Sequence, residues 1–249
     1  MTGAFALKRV MLGAMAVVLV ATVASAAPIT FIGSDVGANS TDPRPGSTAA
    51  AASFDAAASG LGTLHVIDFE SAPVGPFTSL SLGSGVTLTG VDLAGNSSGQ
   101  SVVDAPLATP DSVFGYNTTA AGANFAFLSG GSLTFTFDTP IQAFGAYLSG
   151  IQLAGETVTY SNGATQTVDI PTISSGIAFV GFTDAGTFIT SVTVDTTSAS
   201  SNLGDLVGLD DLRFVTAGQE TAVPEPASLA LLGIGLAGIR VIRRGRKRS

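Results

Sequence analysis

From Thr63 to Val215 apolar and polar residues alternate with a period of two. That pattern constrains the fold more than any other feature of the chain, because successive side chains of a strand point to opposite faces. Leu133, Phe135 and Phe137 alternate with Ser132, Thr134 and Thr136, Val192 and Val194 flank Thr193, and Phe125 and Phe127 flank Ala126. The alternation predicts about ten short strands, over residues 64–69, 86–93, 123–128, 133–137, 142–148, 156–160, 166–170, 178–182, 189–195 and 208–215. Asn162-Gly163 supplies a tight hairpin turn. Strands this short, with Gly- and Pro-rich turns and almost no helix between them, predict a mainly β fold, an antiparallel β-sandwich or jelly roll. The segment 95–122 is polar and irregular and reads as an excursion over the sandwich rim.

One short helix is expected ahead of the strands. Residues 28–46 read mostly as loop. Over 47–60, Ser47 is a plausible N-cap, the alanines favour helix and Gly60 can close it. Phe54, Ala57, Ala58 and Leu61 form one narrow apolar stripe, so the helix should pack on the β domain. The expected divisions are 1–26, 27–62 with the helix, a β-sandwich domain over 63–216, a linker over 217–222, and 223–249.

The ends are a different material. Lys8-Arg9, an apolar run of about a dozen residues and Ala24-Ser25-Ala26 form a secretory signal helix, with cleavage between Ala26 and Ala27 by signal peptidase. The run is short of the ~18–20 residues a spanning helix needs. At the other end come Pro224-Glu225-Pro226, then the uncharged segment 227–239, then six bases in the last ten residues. A short transmembrane helix ending on bases keeps those bases cytoplasmic and places the middle outside.

Those three parts, in that order and paired with an N-terminal signal, resemble the PEP-CTERM sorting signal of Gram-negative bacteria. The resemblance implies recognition at Pro224, Glu225 and Pro226 by exosortase, a membrane-embedded protease. It also implies membrane anchoring through the C-terminal helix before processing, then release to the cell surface or extracellular matrix, in association with exopolysaccharide or biofilm. The alternative is an ordinary anchor that is never cut.

Charge and composition narrow the chemistry. Between Pro28 and Glu220 two bases face 17 acids, a net −15. Such a surface repels nucleic acid and attracts divalent cations. There is no Cys, so disulfides and thiolate metal sites are excluded. No Lys lies in this stretch, which excludes Schiff-base and P-loop chemistry there. A catalytic triad would need His65, the one His, and no Gly-x-Ser-x-Gly elbow accompanies it. His65 reads instead as a strand histidine at a sheet edge. Two acids could serve a glycosidase, but with 17 available that match is uninformative. Sugar stacking would fall to Tyr116, Tyr147 or Tyr160, with Tyr116 best placed unless it tucks under a loop. Asn39, Asn96 and Asn117 begin sequons that read as chance matches.

One pairing stands out. Asp68-Phe69-Glu70 ends the first expected strand, and Leu209-Asp210-Asp211-Leu212 lies in the last. This is similar to calcium-stabilised jelly rolls, including MAM-type adhesion domains and several carbohydrate-binding modules, in which acids of the terminal strands meet. The resemblance implies a structural calcium ion on Glu70, Asp210 and Asp211. The alternative is solvated acids, with Asp211 paired to Arg213. The expected function is a non-catalytic structural or adhesive surface protein. A carbohydrate-binding module is the alternative, and an enzyme the third reading.

Overall fold

The computed structural model describes residues 27–97, 99–104, 114–168, 175–198 and 203–218. The expected signal helix, the Ala26 side of its cleavage site, most of the linker and the C-terminal sorting segment lie outside them. The described residues form thirteen strands and one helix, and every strand pairing is antiparallel.

In chain order these are β1 (Ile29–Val36), α1 (Pro45–Ser59), β2 (Leu64–Ile67), β3 (Gly75–Phe77), β4 (Ser79–Gly83), β5 (Val86–Val91) and β6 (Gln100–Asp104). Then follow β7 (Asn124–Ser129), β8 (Ser132–Ser149), β9 (Glu156–Tyr160), β10 (Thr165–Val168), β11 (Gly176–Thr183), β12 (Ile189–Asp195) and β13 (Leu206–Thr216).

The long strand β8 organises the rest. Its first half pairs with β12 and β5, and its second half pairs with β11 and β13. Between the halves Asp138, Thr139 and Pro140 turn a corner. Phe135 and Phe144 lie nine positions apart, roughly 30 Å in a straight strand. Their rings nevertheless meet at 5.7 Å. The strand therefore folds over and serves two layers, as strands do at sandwich corners. Sheet I runs β10-β9-β12-β8-β5-β4, and sheet II runs β1-β11-β8-β13 and continues through β7, β6 and β3, with β2 beside β13.

The core lies between the layers. Leu88, Leu133, Phe135 and Tyr160 of sheet I meet Phe144, Val180, Phe182, Leu212 and Phe214 of sheet II. Tyr160 stacks on Phe182 at 4.4 Å, and Phe137 packs on Phe214 at 5.3 Å. The sandwich thus follows the expected alternation, with four differences. Segments 133–137 and 142–148 are one bent strand. The expected loop over 28–46 contains β1, whose polar Gly33, Ser34 and Asp35 hid its period. β3 and β4 add edge strands. β6 lies within the expected excursion.

A second, smaller core lies on the outer side of sheet II. There α1 covers Ala143, Tyr147, Ile177, Phe179 and Val215 with Ala51, Phe54 and Ala58. Of the expected stripe, Phe54 and Ala58 are buried, while Ala57 and Leu61 are only half-buried. Gly145 and Gly181 are register partners beneath Phe54. A Cβ on Gly145 would stand 2.7 Å from the Phe179 ring, and one on Gly181 2.8 Å from the Phe54 ring. Their missing side chains form the dent that receives Phe54.

The helix starts differently from expectation. Ser47 does not cap it; the preceding residue Arg44 holds the N-cap position and makes no side-chain cap bond. Asp35 of β1 does so from a distance: its Oδ1 accepts from the Gly46 N–H at 2.8 Å, and its Oδ2 from the Ser47 N–H at 2.8 Å and hydroxyl at 2.7 Å. A carboxylate on orphan N–H groups at a helix start is favourable. Burial raises the Asp35 carboxyl, but these donors and Arg44 outweigh it and hold the group below its ordinary value.

Candidate functional site

Glu70, Asp210 and Asp211 converge on one segment, residues 117–124. The mechanism is a break in β13. Asp211 has φ +50°, and the register with β8 slips between Asp210 and Arg213. At that bulge β13 changes its outer neighbour from β7 to β2. Segment 117–124 fills the gap. Asp210 Oδ2 accepts from the Thr118 N–H at 2.6 Å, the Thr118 hydroxyl at 3.1 Å and the Thr119 N–H at 3.2 Å. Its Oδ1 accepts from the Asp211 N–H at 2.7 Å. The Asp211 oxygens accept from the hydroxyls of Thr119 at 2.9 Å and Thr118 at 3.2 Å.

Glu70 holds the other end. Its Oε1 accepts from Asn117 Nδ2 at 2.7 Å, the Ala123 N–H at 2.9 Å and the Asn124 N–H at 3.1 Å, and its Oε2 from the Ala123 N–H at 3.0 Å. Phe69 before it is buried and left-handed, with φ +60°. The two ends of the sandwich therefore meet as expected, but every oxygen of the three acids accepts an N–H or O–H. Among the described residues no three acids are grouped to hold a metal. Burial, reinforced by Asp211, raises the Asp210 carboxyl to about 7 against the lowering effect of its N–H donors.

Arg213 faces the helix. Its Nε lies 3.3 Å from Asp55 of α1, closer than the 3.9 Å between its NH2 and Asp211. Its guanidinium also sits over the Tyr147 ring at 5.2 Å. The Asp211–Arg213 pair is thus present but secondary to the bridge from sheet II to α1.

The three tyrosines are not a sugar platform. Tyr116 is buried and donates its hydroxyl to the Ala38 carbonyl at 3.0 Å, while Tyr147 and Tyr160 lie in the two cores. His65 sits in β2, a strand with one partner, and stacks on Phe214 at 5.0 Å. Of the sequons, Asn117 is buried on Glu70, and Asn39 and Asn96 hold turns with Asp42 and Asp92.

The outer face of sheet I is the surface the sequence reading missed. Register places Thr165, Thr159, Thr193, Thr134, Thr89 and Ser79 in one row across all six strands. A second row contains Ser191, Thr136, Thr87 and Ser81. Thr134 and Thr193 bond hydroxyl to hydroxyl at 2.9 Å. Rows follow the strand spacing of about 4.8 Å, and neighbouring rows lie roughly 6.7 Å apart. A shallow groove of about 190 Å3 crosses the array between Thr78, Thr89, Ser97 and Thr134. The acids on this face are Asp195 and Asp138, at opposite strand ends. The signal was visible as Ser-x-Thr-x-Thr over 132–136 and Thr-x-Thr over 157–159, 165–167 and 87–89. What aligns those repeats is register, which no single strand encodes.

Residues 222–247 match the family model of the PEP-CTERM protein-sorting motif. The chain carries a PEP-CTERM sorting signal. That signal marks it as an exported, exosortase-processed surface protein, and it contains Pro224, Glu225 and Pro226. No helix among the described residues is long and apolar enough to cross a membrane. No curated protein matches the chain. Two solved structures are similar to part of it. One is the K2 cleaved adhesin domain of Lys-gingipain, 12% identical, over 62% of this chain and 98% of that one, with a TM-score of 0.29. The other is the GH31 alpha-xylosidase from Xanthomonas citri, 10% identical, over 62% of this chain and 19% of that one, with a TM-score of 0.15. At these scores neither neighbour bears on the function of the PEP-CTERM chain.

Proposed function

We propose that this exported protein is a non-catalytic adhesive component of the cell surface or matrix, and that the hydroxyl face of sheet I is where it meets exopolysaccharide. The observation that supports this reading is the single row of six Ser/Thr side chains across all six strands of sheet I. Threonine is stiff at χ1, so ordering its hydroxyl on a partner costs little entropy. A rigid strand scaffold presents the hydroxyls already spaced, which favours binding to an extended polymer that repeats its own hydroxyls. The near-absence of charge on this face favours a neutral polymer, since the −15 domain repels an anionic one. His65 on an edge strand, stacked on Phe214, supports a role without turnover. Exosortase would release the domain from its C-terminal anchor.

The test is retention of the full chain, in mild detergent, on cellulose and curdlan as neutral polymers and on alginate as an anionic one. We expect retention on a neutral polymer and at least a tenfold weaker affinity after Thr134→Val with Thr193→Val. Equal affinity of the variant, or preference for alginate, would overturn the assignment of this face.

A further inference from the structure

We propose that Glu156 and Asp205 form a binding site for a hard divalent cation of the calcium class, at one end of the sandwich interior and separate from the acids that hold segment 117–124. Glu156 is the first residue of β9 and shares its inner face with Val158 and Tyr160, which belong to the core. Asp205 immediately precedes β13. Its N–H donates to the Thr196 carbonyl at 2.9 Å, just past the end of β12. Thr157 pairs with Asp195 in the β9–β12 register, so Thr196 lies between the two acids.

The two carboxylates are in different states of engagement. Asp205 is 3% exposed and held in place: Oδ2 accepts the Gln152 N–H at 2.5 Å and the Leu153 N–H at 2.8 Å, and Oδ1 accepts the Leu206 N–H at 2.8 Å. Glu156 is 0% exposed, and neither of its oxygens receives a hydrogen bond. The Asp205 carboxylate lies against it, and Asp195 adds a third negative charge. A buried, unpaired carboxylate is among the costliest groups a fold can contain. Neither base of the described residues compensates it, since Arg213 is on Asp55 and Arg44 starts α1.

Two species could relieve the clash. A proton shared between the acids would occupy one Glu156 oxygen and leave the other bare. A cation held by both Glu156 oxygens and by the Asp205 carboxylate engages both acids. Calcium accepts bidentate and monodentate carboxylates in irregular geometry and completes its six to eight ligands with carbonyls and water, whereas magnesium demands a near-ideal octahedron. Among the described residues no third acid joins these two in a metal-holding group, so carbonyl and water oxygens would complete the shell. Burial pushes the Glu156 carboxyl well above its ordinary value, with Asp205 and Asp195 adding to it.

The experiment is calorimetric titration of the chelator-treated full chain with calcium chloride, with thermal melting in calcium or chelator. The expected result is a saturable heat and a melting temperature raised by calcium, both lost in Glu156→Gln and both retained in Asp210→Asn. Gln mimics the protonated acid, so Glu156→Gln should fold and melt at least as high as the calcium-free parent. A parent indifferent to calcium, with a melting temperature set by pH alone, would establish a shared proton and overturn the site. A calcium response that survives Glu156→Gln would overturn it equally.

Discussion

Sheets I and II are built from the same alternating strands, yet their outer faces have opposite fates. The outer face of sheet I is threonine and serine and stands open. The outer face of sheet II carries Ala143, Tyr147, Ile177, Phe179 and Val215 and is covered by α1. The consequence is clearest in β11, where all eight residues are buried, against β12, where buried and half-exposed residues alternate. A sheet with an apolar second face needs a third layer; one with a hydroxyl second face needs only water or a hydroxylated partner. The helix is therefore structural cover, and the open face is where function can reside.

The largest expected effect falls on the covered side. Phe54 is fully buried, 5.7 Å from the Phe31 ring and 5.5 Å from that of Phe179, in the dent left by Gly145 and Gly181. Phe54→Ala leaves a cavity that two glycines cannot fill. It should cost about 3–5 kcal/mol, a large part of the ~5–15 kcal/mol of a typical domain. Denaturant unfolding of the full chain measures it, and a loss below about 1 kcal/mol would show that α1 is not needed as cover.

A smaller effect separates the sheets by pH. Asp210, at the bulge of sheet II, has its carboxyl raised to about 7 by burial, against an ordinary 3.8. A raised acid binds more protons folded than unfolded, so its contribution is full below the unfolded value and is lost as pH rises through about 7. The parent should lose stability between pH 5 and pH 8 relative to Asp210→Asn, by a few kcal/mol at most at ~1.4 kcal/mol per unit. The asparagine also turns an amide donor or a weaker acceptor toward the Thr118 N–H, so the variant should be less stable overall by roughly 1–3 kcal/mol. Parallel pH profiles for the two proteins would place the titrating group elsewhere.

The sandwich was legible because one-sided burial writes period two into each strand, as in Leu133, Phe135 and Phe137. β1 was not, because Gly33 and Ser34 lie against the helix start, and Asp35 reads as a loop residue until the helix it caps lies beside it. The closeness of the first and last strands of the expected sandwich was legible from their places in the sequence, and β2 pairs with β13. The hydrogen-bond partners of Glu70, Asp210 and Asp211 were not, since the donors come from segment 117–124, whose path no local pattern specifies. Glu156 gave no signal either, since its strand neighbours Thr157 and Thr159 made it read as one more polar residue of an alternating strand. Its burial follows from phase: it shares a face with Val158 and Tyr160, not with the threonines.

The smallest expected effect is the most diagnostic. Thr134 and Thr193 face each other across β8 and β12, half-buried, with their hydroxyls 2.9 Å apart. Valine has the same branched shape and at least as high a strand preference. Replacing both hydrogen-bonding partners with apolar groups of matching shape is nearly neutral, because no polar atom is left without a partner. The double variant Thr134→Val with Thr193→Val should thus unfold within about 0.5 kcal/mol of the parent. The contrast with Phe54→Ala would then exceed fivefold, although both changes are made on outer faces of the same sandwich. If the double variant instead loses more than about 1 kcal/mol, the hydroxyl ladder is holding sheet I together. A stable variant that also loses retention on neutral polysaccharide would separate the two faces completely, one selected for cover and the other for contact.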